Sequence, residues 1–168
     1  MLRGGTFICL VVFFSLYLAG TATWPDNRET ITQYRGKVVR VSDGDSLTLL
    51  VKQKEIKIRL TQVDAPEYGQ PYSARSKQLL SRLVYGKQVT ARVEAIDDYG
   101  RKVARVYVGN LDVNAEMVRQ GAAWVYRKYA RDESLFRLEQ EARDAGRGIW
   151  GLAETEQTPP WEWRHGKR

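Results

Sequence analysis

Three short islands of this 168-residue sequence gather side chains able to do chemistry. They are Asp43-Gly44-Asp45-Ser46, the run from Arg59 through Asp64-Ala65-Pro66 to Glu67, and Asp98-Tyr99-Gly100-Arg101. Carboxylates with a backbone carbonyl suit a hard cation such as calcium, and open positions remain for water and phosphate. Two arginines offer permanently charged, planar donors that can grip a phosphate bidentately. A glutamate can act on a water when its surroundings place it well. Each island alone also has an ordinary reading: a turn, a solvated strand end, and a turn entering a strand.

Other chemistries are scarce in this chain. Cys9 is the only cysteine and falls within an apolar N-terminal run, which excludes thiol catalysis and zinc–cysteine sites from the domain that follows. His165 is the only histidine, near Pro159-Pro160-Trp161, and reads as an exposed tail residue. A Ser-His-Asp triad and a histidine-rich metal site are therefore both absent.

The elements that must position the islands are mostly strands between Tyr34 and Val108. Ile56, Ile58 and Leu60 alternate with Glu55, Lys57, Arg59 and Thr61, the period of a half-buried strand. Val89, Ala91, Val93 and Ala95 repeat that alternation, while 38–41, 47–51 and 101–108 supply three more strands. Asp43-Gly44 marks a hairpin turn between the first two. The spacing of Leu79, Leu80, Leu83 and Val84 predicts a helix over 73–84. Asp112 is an N-cap candidate for a helix through Arg119, stopped by Gly121. A last helix begins near Asp132, carries Leu135, Leu138, Ala142 and Ala145, and ends at Gly146 and Gly148. Three strands, a helix, two strands and two helices fit an α+β fold: a five-stranded OB-type β-barrel with about three helices. On this frame Arg59 points away from the Ile56–Leu60 face. It can serve a site only if that face, at the strand's end, lines a groove with Asp45 and Asp64.

The sequence divides into four parts. Residues 1–22 carry Arg3, an apolar run and the small residues Gly20 and Ala22, the pattern of a secretory signal peptide or an uncleaved N-terminal anchor. Residues 23–33 read as a polar linker, 34–152 as the domain, and 153–168 as an irregular tail. The chain has 27 basic and 20 acidic residues, a net charge of +7, and loss of Arg3 with the leader leaves +6. Such a domain is drawn to polyanions, nucleic acid or anionic membrane. No amphipathic basic helix supports the membrane reading.

The three islands in this order and spacing resemble the staphylococcal nuclease (thermonuclease) family. So do Asp112-Val113-Asn114, Met117 through Ala123, and Gly148-Ile149-Trp150. The resemblance runs from about Tyr34 to Trp150 and implies a calcium-dependent nuclease. By position, Asp45 and Asp64 match the carboxylate ligands of the ion, and Ala65 the residue that gives a carbonyl. The type member has threonine there, so a hydroxyl is lost. Glu67 matches the carboxylate that orients or deprotonates the attacking water, and Arg59 and Arg101 the arginines that hold the phosphate. Tyr99 matches an aromatic beside the base, while Tyr129, with Tyr126, falls near further nucleotide-contacting tyrosines. The segment after Glu67 is shorter than the type member's long loop, so that loop's contacts do not transfer.

The reading that results is an exported, secreted or periplasmic endonuclease, a monomer using Ca2+ to hydrolyse phosphodiester bonds of DNA, RNA or both. Stable membrane association is not expected once the leader is removed. The competing reading is a non-catalytic OB-type nucleic-acid-binding module. A decayed nuclease would have lost a carboxylate or an arginine, and all five positions are intact here.

Overall fold

A computed structural model describes residues 32–166. The leader read over residues 1–22, with Cys9, lies outside the described residues, as does most of the proposed linker. In chain order the elements are β1 (Gln33–Val41), β2 (Ser46–Val51), β3 (Lys54–Leu60), β4 (Val63–Asp64), α1 (Ser73–Val84), β5 (Gln88–Ile96), β6 (Lys102–Val108), β7 (Leu111–Asp112), α2 (Val113–Arg119), β8 (Trp124–Val125) and α3 (Glu133–Asp144). Two 3₁₀ turns, Gly148–Gly151 and Glu154–Glu156, lead to a short helix α4 (Pro160–Trp163).

Five long strands close into a barrel. β3, β2, β1, β5 and β6 pair antiparallel in that order, and β6 then pairs in parallel with β3. Closure removes the open edges that would template aggregation. So small a barrel requires sharply bent strands, and register shifts in β1 (Val38/Arg40) and β5 (Val93/Ala95) provide bends. The β5 shift explains a departure from the sequence reading. Val89 and Ala91 are buried as alternation predicts, but past the shift Ala95 is exposed.

Val38, Leu47, Leu49, Ile58, Leu60, Val89, Ala91, Ala104 and Val106 are buried in the main core. Leu80 and Val84 of α1, and Val113, Met117 and Val118 of α2, belong to the same cluster. The predicted caps form: Asp112 accepts from the Ala115 N–H and Asp132 from the Ser134 N–H. Ala145 caps the end of α3 rather than joining its buried face.

A second cluster of Trp124, Ala142, Ile149 and Trp150 has Tyr72 and Trp161 packed against it. Trp161 belongs to the stretch read as an irregular tail. That stretch instead folds back, with Pro160 buried and the Trp161 ring stacked on Tyr126 at 5.4 Å between centroids and 3° between planes. Proline is tolerated at the first position of α4 because that N–H would have no helical partner. His165 is exposed, as expected. Among the described residues, no helix is long and apolar enough to cross a membrane.

Candidate active site

The turn from β1 to β2 is built to deliver Asp45. Asp43 Oδ1 accepts the Asp45 N–H at 3.0 Å, and the Asp45 carbonyl accepts from the Leu60 N–H at 2.8 Å. Gly44 lets this turn press on its neighbours, since a Cβ there would lie 1.9 Å from Ser76 Oγ and 2.7 Å from Ala65 Cβ. Asp45 Oδ2 in turn accepts the Ala65 N–H at 3.1 Å, which ties the turn to the segment after β4.

Arg59 comes to the same place from the end of β3, where it stands opposite Ser46 on β2 and Val103 on β6. Just beyond it, Gln62 adopts a left-handed backbone (φ 62°) and reverses the chain, so that Asp64 returns beside Arg59. Gln62 also fixes what lies around the turn. Its carbonyl accepts from Tyr126 N–H, and its side-chain oxygen accepts from the Arg131 and Asp132 N–H groups. Asp64 is then locked opposite Trp124 in the β4–β8 pair.

The two carboxylates meet at one nitrogen. Arg59 Nη2 lies 2.7 Å from Asp64 Oδ1 and 3.3 Å from Asp45 Oδ2. Asp64 is fully buried and Asp45 is 4% exposed. The face of β3 that alternation assigns away from the barrel interior thus carries Arg59 onto both aspartates.

Electrostatics follow from this crowding. Burial pushes the Asp64 carboxyl up, the charge of Asp45 adds to it, and the guanidiniums of Arg164 and Arg59 only partly offset the rise. Asp43 is pushed up to about 6, first by burial and then by Asp45. Burial works against the charged form of Arg59, but Asp45 and Asp64 more than compensate and raise its pKa. A buried acidic site of this kind favours positive charge.

The donor set fits a hard divalent cation. One positive nitrogen already bridges both aspartates. Three donated bonds reach the Asp64 carboxylate, against about four acceptor positions that a carboxylate offers. Among the described residues no three His, Cys, Asp or Glu side chains converge. Such an ion would therefore rest on Asp45, Asp64 and oxygens from backbone and water, a ligand set suited to calcium.

The remaining site residues are distributed around this pair. Arg101 follows the Asp97–Gly100 turn; its Nε is held by Asp97 at 2.7 Å, and its Nη1 reaches Ser46 Oγ at 3.4 Å. Ser46 Oγ in turn donates to Asp45 at 2.9 Å, so Arg101 joins the same cluster. Tyr99 is 85% exposed, with the Arg101 guanidinium over its ring. Tyr129 is exposed and sits edge-on to Tyr126. Glu67 lies on the loop after β4, half-exposed, and its carboxylate is bound by Arg164.

Arg164 is the residue that the sequence reading missed. Its Nη2 lies 2.7 Å from Asp64 Oδ2, its Nη1 lies 3.2 Å from Asp64 Oδ1, and Nη1 also binds Glu67 Oε1. Gln70 was likewise passed over; it is buried, accepts the Glu67 N–H and donates to the Thr158 carbonyl. The available signal was the tail's composition, because Trp161 and Trp163 beside two prolines are unusual in a solvated end.

Residues 57–151 match the family model described as Staphylococcal nuclease homologue. A protein from Escherichia coli named "Uncharacterized endonuclease" is 45% identical over 133 residues, covering 79% of this chain and 86% of its own length. A second protein of that name, from Haemophilus influenzae, is 39% identical over 155 residues, covering 92% of this chain and 84% of itself. A protein from Shigella flexneri named "Micrococcal nuclease" is 36% identical over 146 residues, covering 80% of this chain and 83% of itself.

Proposed function

This chain belongs to the staphylococcal nuclease family and is a nuclease, and on that premise we propose that it is an exported, calcium-dependent enzyme that hydrolyses internal phosphodiester bonds of DNA, RNA or both. The observation that carries this reading is the single guanidinium nitrogen bridging the buried carboxylates of Asp45 and Asp64. Export rests on the sequence of residues 1–22, and a monomer is the form we assign.

Asp45, Asp64 and the Ala65 carbonyl would hold the ion. When bound, calcium would supply Lewis-acid charge and a template for water and phosphate. Arg59 and Arg101 grip the non-bridging phosphate oxygens, where negative charge grows as water adds to phosphorus. Both arginines are carboxylate-bound in the free protein, Arg59 to the aspartates and Arg101 to Asp97. Substrate binding therefore exchanges carboxylate partners for phosphate oxygens. Glu67 accepts the proton of the attacking water. The bond from phosphorus to the leaving sugar oxygen breaks, and that oxygen takes a proton from solvent. Tyr99, beside Arg101, and Tyr129, beside Tyr126, offer aromatic faces on which bases can stack.

The test is cleavage of single- and double-stranded DNA and RNA by the purified protein, with calcium and then with chelator. Chelator-sensitive cleavage is expected, with Glu67→Gln and Arg59→Ala each strongly depressed while folding is retained. Binding without chelator-sensitive cleavage would point to the non-catalytic module instead.

A further inference from the structure

The C-terminal segment touches the loop that carries Glu67 at two independent points. Arg164 spans the Asp64 and Glu67 carboxylates with one planar guanidinium. Gln70 forms a relay: its side-chain oxygen accepts the Glu67 N–H, and its side-chain nitrogen donates to the Thr158 carbonyl. Both the backbone and the side chain of Glu67 are thus tied to residues 158–164. The segment is itself anchored by buried Pro160 and by the Trp161 ring, which stacks on Tyr126 and packs on the Trp124–Trp150 cluster.

The loop needs this support. Beyond buried Ala65 and Pro66 it has no regular structure up to α1. Tyr68 is wholly exposed, and a side chain on Gly69 would meet nothing within 4 Å. The Gln70 N–H holds the Glu67 carbonyl at 2.9 Å, but that turn fixes backbone and leaves the Glu67 carboxylate to be placed by Arg164. Arg164 is also suited to the task, since its fork holds two carboxylates at a set separation, which a lysine ammonium cannot do.

We propose that the segment from Thr158 to Arg164 buttresses the active site, with Arg164 a positioning residue that holds Glu67 against Asp64. This rests on the role given to Glu67 above. A misplacement of about 1 Å in a reacting group can cost on the order of 100-fold in rate.

The experiment measures kcat and KM at saturating calcium for Arg164→Ala, Arg164→Lys, Gln70→Leu, Glu67→Gln and the double variant Glu67→Gln/Arg164→Ala. Hydrogen exchange over residues 65–71 is followed in the metal-free proteins. Arg164→Ala is expected to lower kcat by about 10- to 100-fold, with KM for the nucleic acid changed by less than about 3-fold and exchange in the loop accelerated. Arg164→Lys should recover part of the rate and stays informative should the alanine variant misfold. Gln70→Leu should show the same split between kcat and KM. In the Glu67→Gln background the alanine substitution should cost little more, because Arg164 acts through the lost carboxylate.

Multiplicative losses would overturn the proposal and place Arg164 directly on the phosphate. A higher rate in Arg164→Ala would also overturn it and mark the arginine as an obstruction. Unchanged exchange and rate would remove the buttress altogether. If Glu67→Gln alone keeps near-normal activity, the role given to Glu67 fails, and loop exchange still decides whether the segment holds the loop.

Discussion

Replacing Asn114 should damage this protein more than any exposed charge would, and the loss can be worked from three contacts. The side chain is fully buried. Its Oδ1 accepts the Val106 N–H at 3.0 Å, and its Nδ2 donates to the Thr61 carbonyl at 2.9 Å and to the Ala104 carbonyl at 3.3 Å. Asn114→Ala removes all three. Ala104 keeps the Thr61 N–H as a donor at 2.9 Å, so its carbonyl loses little. The Val106 N–H and Thr61 carbonyl are left as the uncompensated groups, each costing about 1–3 kcal/mol. The expected loss is about 2–6 kcal/mol, a large part of a typical total of about 5–15 kcal/mol. At roughly 4 °C per kcal/mol for a domain of this size, Tm should fall by about 8–24 °C. Asn114→Asp keeps the acceptor for Val106 but turns a carboxylate oxygen toward two carbonyls, so at pH 7 it should be at least as unstable. Urea denaturation of the three proteins measures both effects. A loss under about 1 kcal/mol for the alanine variant, with an unchanged m-value, would show that the bond count does not govern this junction of β3, β6 and α2.

Two further outcomes follow from local geometry. Gly44→Ala drives a methyl into Ser76 Oγ and Ala65; it should cost about 1–3 kcal/mol and lower activity by shifting Asp45, as a paired melting and cleavage measurement would reveal. Asp132 is held down to about 2, first by its bond from Ser134 and then by Arg105, against an ordinary value of 3.8. A folded-state pKa below the unfolded one gives stability that is present above about pH 4 and lost as pH falls toward 2. The shift corresponds to about 2 kcal/mol, which partial exposure reduces to about 1 kcal/mol. Asp132→Asn should therefore lose about that much at pH 7 and almost nothing near pH 2, as read from urea titrations at each pH.

The barrel was legible because its strands and helices obey local periods. Ile58 and Leu60 are buried where alternation puts them, and Asp112 and Asp132 cap where a side-chain oxygen is needed. Periodicity failed where the backbone leaves register, at Ala95 past the β5 bulge. Asp45, Arg59, Asp64 and Arg101 lie in one cluster of contacts, although alternation could not say whether the outer face of β3 meets other side chains or solvent. That depended on Gln62, whose left-handed turn no sequence period announces. The two-residue strands β4, β7 and β8 were too short to show any alternation. The tail was opaque for a different reason. Arg164 meets Asp64 across 100 residues and Gln70 meets Thr158 across 88, so these contacts exist only once the tertiary fold does.

That long reach sets an order in time. Asp45, Arg59, Asp64, Glu67 and Arg101 all precede Lys102, and the barrel strands are complete at Val108. A domain folds as a unit, and this site draws on residues well beyond the strands: Trp124 pairs with Asp64, and Gln62 is held by Tyr126, Arg131 and Asp132. The aspartates are thus not placed until those residues are made, and Arg164 comes later still. Its guanidinium reaches Asp64 and Glu67 only when the later residues have been synthesised and laid across Tyr126. The cluster is therefore assembled from the two ends of the domain, and its last contact to become possible is the one at Arg164.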